Sequence, residues 1–183
     1  MLRAYQEMDE SGNGIGIVWA LPVSAEFPEP DSCTRLEGRF GKPPKPPQAL
    51  GDFMEAIDGD GTPLSFLSAS LLSRELHDFG SQWHGVGWGN VKLLSSDPWS
   101  DPSNAGSDLV EVLDGEWEWE SPKPDNWQPR VEVGTNTATV SFIGYSGLGR
   151  YRIFRITDRY KTGAYVFEWD QKDIGVGPGG WIP

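Results

Sequence analysis

Cysteine is nearly absent: Cys33 stands alone among 183 residues. One thiol cannot close an internal disulfide, and no zinc-type cysteine spacing exists, so packing must hold the core, as in a reducing compartment. Histidine is also scarce, with His77 and His84 the whole supply, which leaves few imidazole-based sites to consider. Long apolar runs are missing as well. No stretch approaches the ~20 residues that span a bilayer. The short run "IGIVWALPV" imitates a secretory core, but Glu7, Asp9 and Glu10 precede it against Arg3 alone, and a secretory leader should be basic there. These absences point to a cytoplasmic protein without a membrane partner.

Positive charge is the other shortage. Lys and Arg total 15 against 27 Asp and Glu, a net charge of −12. Such a chain repels phosphate backbones, which argues against nucleic acid as a partner. The imbalance is also local. Nine carboxylates between Asp97 and Asp125 face Lys123 alone, whereas residues 130–161 carry six basic side chains against Glu132 and Asp158. The chain is electrically polarised along its length.

At this length a single domain, 1–183, accommodates the whole chain. The segment 24–47 ends in "GKPPKPP" and reads as a proline-rich connector inside it, since such a run sustains neither helix nor central strand. Two helices are expected after it, at about 48–57 and 66–79, bounded by the prolines, "DGDG" and Gly80. On a helical wheel Leu64, Ser68, Leu71, Leu72, Glu75, Leu76 and Phe79 gather on one broad face of the second.

The C-terminal half alternates and turns at short intervals, the pattern of antiparallel hairpins. "RVEVGTNTATVSFI" turns at Gly134 to Asn136. "GRYRIFRITDRYKTGAYVFEWD" turns at Gly163. "LVEVLDGEWEWE" centres on Asp114-Gly115, a strong hairpin signal. A two-residue turn there would sort Val110, Val112, Trp117 and Trp119 onto one face, and Glu111, Leu113, Glu116, Glu118 and Glu120 onto the other. The expected fold class is α+β: an antiparallel sheet of about five to seven strands, with the two helices packed on one face.

Chemical motifs are weaker. "RELHDFGSQWHGVGWGN" brings Glu75, His77, Asp78 and His84 close in sequence, the candidate catalytic residues should the protein be an enzyme. Residues two apart on a helix lie 200° around its axis, so Glu75 and His77 cannot chelate one ion there. "DESGNGIGIVWA" starts like a calcium loop, with Asp9, Ser11, Asn13 and Gly14, but ends at Ala20 where a bidentate Glu belongs. "DGDGTP" lacks the geometry too. "GYSGL" misses the last glycine of a nucleophile elbow and "GVGPGG" the lysine of a phosphate loop, so both read as turns. No cofactor is implied.

Nine tryptophans remain, of which Trp83, Trp88, Trp99 and Trp127 lie in glycine-, proline- or Asp-rich segments that suggest exposure, as for sugar stacking or an interface. Composition therefore favours a non-catalytic acidic binding protein, inhibitor- or immunity-like, that docks a basic protein. Its expected contact residues are Glu111, Glu116, Glu118, Trp117, Trp119, Trp99, Asp97 and Asp101. A divalent-cation (Ca2+) binder and a His/carboxylate enzyme with a pocket around residues 75–84 are the alternatives.

Overall fold

The computed structural model of the chain describes the backbone of residues 2–8 and 14–22, and residues 48–79 and 87–180 together with their side chains. The expected α+β architecture is present. Chain contacts group it into two units, one of residues 1–58 and 71–88, the other of 59–70 and 89–183.

In the first unit, β1 (Leu2–Met8) pairs antiparallel with β2 (Gly14–Ala20), Leu2 opposite Ala20. The helix expected at 48–57 shrinks to a 3-10 turn, Phe53–Ala56. Asp52 caps it by accepting from the Met54 amide at 2.8 Å, while Glu55 accepts from the Asp52 amide at 3.0 Å. This reciprocal cap fixes the start so late that only four residues remain before the extended Ile57.

The second unit is built on a six-stranded antiparallel sheet. Its strands are β3 (Lys92–Leu94), β4 (Glu118–Trp119), β5 (Arg130–Val133), β6 (Thr137–Ser146), β7 (Arg150–Lys161) and β8 (Phe167–Gly179). The last three form a meander in the order β6-β7-β8. Two short strands share the outer edge of β6, β5 along its first half and β3 along its second. The hairpins at Gly134 to Asn136 and at Gly163 form as expected. Gly163 takes φ 85°, a conformation open to glycine at little cost.

Strand alternation divides the sheet into two faces. Ala138, Val140, Phe142, Phe154, Ile156 and Tyr160 are buried on one. Against this face lies the N-terminal half of α1 (Pro63–Asp78), a helix entered through Thr62, whose hydroxyl accepts from the Ser65 amide. Phe66 meets the rings of Tyr160 and Tyr165 at 5.0 and 5.1 Å, and Ser70 shares a 2.6 Å hydrogen bond with the Tyr160 hydroxyl.

The apolar stripe read from the helical wheel is not the buried one. Phe66, Ala69, Ser70 and Ser73 are buried, at the i, i+3, i+4, i+7 spacing, whereas Leu64, Leu72 and Phe79 are exposed. Small residues admit close approach of the helix backbone, so closeness of packing and not leucine content selects the inner face.

On the opposite face, among the described residues, the cover lies over one end of the sheet. There Ile143, Tyr145, Tyr151 and Ile153 join Leu94, Leu109, Leu113, Trp127 and Ile174 in an apolar cluster. The other end carries the exposed Arg155 and Arg159. The cover is the acidic segment between β3 and β5. The basic strand meets the acidic cover at Arg150, 3.7 Å from Glu118, and meets β8 at Arg152, 3.9 Å from Asp173.

Candidate functional site

The Asp-Gly hairpin does not form. Ser107–Val110 is instead a short helix, α2, followed by turns through Asp114, and Gly115 lacks a positive φ. The reason lies in Leu109 and Leu113. A helical path puts both inside the apolar cluster and leaves Glu111 outside, whereas the hairpin would place Leu113 among the glutamates. Glu111 and Glu118 therefore do not oppose each other, and Val110 and Val112 do not share a strand face with the two indoles.

The "EWEWE" alternation survives. Glu116, Glu118 and Glu120 are exposed while Trp117 and Trp119 turn inward, half-buried. Their partner strand is β8, with Glu118 opposite Val176 and Trp119 opposite Gly175. Each indole lies on a glycine: a β-carbon at 175 would sit 3.0 Å from the Trp119 ring, and one at 177 would sit 2.8 Å from Trp117. Trp-x-Trp and Gly-x-Gly are complementary two-residue repeats, large against absent side chain across an antiparallel pair. That is the signal sequence reading missed. The run "GVGPGG" is not a turn: Gly175 to Gly179 lies within β8.

Trp99 completes the cluster. Its ring is 5.3 Å from both Trp117, edge-on at 80°, and Trp119, and 6.5 Å from Trp127. Its Nε1 donates to the Leu113 carbonyl at 2.9 Å, and Trp117 Nε1 donates to the Val112 carbonyl at 3.1 Å. The α2 turns thus supply the acceptors that orient the indoles. Trp127, whose surroundings suggested exposure, is buried at 4%. Lys123, flanked by Pro122 and Pro124, places its Nζ 3.8 Å from the Trp99 ring centroid and 4.9 Å from that of Trp119. Cation–π attraction holds an ammonium at such distances.

Asp97 and Asp101 are engaged in local turns. Asp97 accepts from the Trp99 amide at 3.0 Å and from Ser100, and so sets the loop that presents Trp99. Asp101 accepts from Ser103 and Asn104, hydrogen bonds that hold its carboxyl below the usual range. Beside the cluster, Asp108 binds Lys92 at 2.8 Å and receives the buried Tyr145 hydroxyl at 3.1 Å. Burial alone would raise the Asp108 pKa, but the hydrogen bonds from Lys92 and Tyr145 outweigh it and lower the value below 3.8. The same hydrogen bond raises Lys92, while burial raises Tyr145.

Asp108, lowered in the fold, contributes stability that is full above its unfolded pKa of ~3.9 and lost as pH falls through its folded value. Lys92, raised, contributes stability that is full below its unfolded value and lost as pH rises through its folded one. Asp108→Asn should flatten the acid limb of a stability–pH curve by up to about 1 kcal/mol, because the ion pair is half exposed. An unchanged acid limb in denaturation melts between pH 2.5 and 6 (roughly bracketing the carboxylate range) would refute the pairing.

Of the His/carboxylate stretch, Glu75, His77 and Asp78 are among the described residues. Glu75 is exposed and accepts from Trp88 Nε1 at 2.9 Å. His77 Nδ1 is 2.6 Å from the Ser73 carbonyl one turn earlier, and its ring lies 5.0 Å from Phe53. Asp78 ends α1. His84, Trp83, the Asp9 loop and the connector 24–47 lie outside the described residues. In "DGDGTP", Asp60 accepts from the Thr62 amide and hydroxyl at the helix entrance. Among the described residues no group of three or more His, Cys, Asp or Glu side chains is arranged to hold a metal, and no helix is long and apolar enough to cross a membrane. The chain matches no protein-family model, curated protein or solved structure.

Proposed function

We propose that the protein is a non-catalytic acidic binding protein, acting in the cytoplasm, that docks a basic protein through its indole cluster and the glutamates around it, in the manner of an inhibitor or immunity protein. The observation that carries this reading is the sorting of "EWEWE": anchored aromatic rings within, and exposed Glu116, Glu118 and Glu120 without. Rigid aromatic anchors ringed by charge of one sign are how interfaces combine a desolvated centre with steering at the rim. Glu118 has Arg150 within 3.7 Å, yet both side chains remain largely exposed, so the pair leaves the carboxylate open to a partner. Glu111, on the outer side of α2, and Asp97 and Asp101, on the Trp99 loop, extend the same acidic surface.

Once a basic partner has been isolated from a soluble extract, its association rate with the protein should fall steeply between low and physiological salt. The triple change E116Q/E118Q/E120Q should slow association by about tenfold while the dissociation rate changes little. An affinity indifferent to salt and to the three glutamines would overturn the proposal.

A further inference from the structure

We infer that the faces of Trp99 and Trp119 form a binding site for a cationic side chain, and that Lys123 occupies it as a resident, displaceable ligand. The inference rests on the proposed docking of a basic protein for its class of ligand, a lysine or arginine of the partner. Its warrant is the geometry of the notch.

Both rings are held by contacts that owe nothing to Lys123. Trp99 is fixed by its hydrogen bond to Leu113 and by its edge against Trp117, and Trp119 by the bare backbone of Gly175 beneath it. The notch therefore persists when the lysine leaves. A site shaped in advance loses little conformational entropy on binding.

The occupant is equally telling. Lys123 is the one basic residue amid nine carboxylates from Asp97 to Asp125. It is exposed and carried on an arm stiffened by Pro122 and Pro124. A buried structural cap would be desolvated. This ammonium is instead wet on its outer side and can exchange for another without stranding a charge in the interior. An incoming cation would meet the two π faces that Lys123 meets at 3.8 and 4.9 Å, next in sequence to the exposed Glu118 and Glu120. The released Lys123 goes to water, so the exchange conserves charge at the notch and selects against neutral or acidic side chains.

Tetramethylammonium chloride is a suitable probe, because it carries the cation without any protein surface. The indole Nε1–H signals of Trp99 and Trp119, assigned by Trp→Phe variants, would be followed by NMR during titration, with sodium chloride at matched ionic strength as the reference. In Lys123→Ala and Lys123→Gln the two signals should shift saturably, with affinity at least about threefold higher than in the wild type, where Lys123 competes. Lys123→Arg should bind as weakly as the wild type.

Shifts no larger than those with sodium chloride in the folded alanine and glutamine variants would overturn the site. Equal affinity in variants and wild type would overturn the competition. Failure of the protein to bind any basic partner would leave these outcomes as they stand, so the two proposals fail separately.

Discussion

Replacing Phe66 with alanine should cost about 3–5 kcal/mol of folding free energy. Phe66 has no exposed surface, and its ring stacks on Tyr165 at 25° while meeting Tyr160 at a tilt of 55°. Truncation removes the transfer free energy of the ring and leaves a cavity that the surroundings cannot readily fill. The neighbouring tyrosines are tied down: Tyr160 to Ser70 and to the Phe66 carbonyl, Tyr165 to Ser65 and the Gly61 amide. Their hydroxyls would have to give up buried or half-buried hydrogen bonds before the rings could move inward, so the cavity term should stay near its upper end. Urea denaturation followed by far-ultraviolet circular dichroism would measure this as a lowered midpoint at unchanged slope. A loss under about 1 kcal/mol would mean that the first half of α1 does not dock on the sheet as described.

Trp99→Ala is the second. Trp99 is half-buried rather than buried, but it touches three other indoles and donates a hydrogen bond to Leu113. A loss of about 3 kcal/mol is expected from area and ring contacts together, with the Leu113 carbonyl left to find water. The change should also alter the signature of the cluster. Trp117 and Trp119, stacked at 26° and 6.0 Å, lose the ring that Trp99 set against them, and Lys123 loses its nearer π face. Near-ultraviolet circular dichroism should therefore fall out of proportion to the loss of one chromophore. Trp99→Phe, which keeps an aromatic face but no donor, should recover more than half of the stability. Stability close to wild type in the alanine variant would show that the four rings do not act as one cluster.

The two substitutions probe opposite faces of the same sheet, and they differ in how far the chain announced them. Gly163, the Gly134 to Asn136 turn and the alternation of the last three strands act through neighbours in sequence, so their outcome was legible: an antiparallel meander with helix on one face. The "EWEWE" alternation was legible for the same reason, since an extended chain sends successive side chains to opposite sides whatever it pairs with. The Asp-Gly turn was a local preference too, worth little against the burial of Leu109 and Leu113, and it lost.

What the amino-acid sequence determined alone, then, was every feature governed by the period of the backbone and by total charge: the class of fold, two of the three hairpins, and an acidic stretch bearing inward indoles. What only tertiary structure decided was partnership. Nothing local tells Trp117 and Trp119 that their seats are Gly177 and Gly175, nearly 60 residues away, tells Phe66 to bury while Leu64 and Leu72 stay exposed, or brings Lys123 over Trp99. Those choices turn on how closely two surfaces can approach, a property of pairs of elements that no single segment carries.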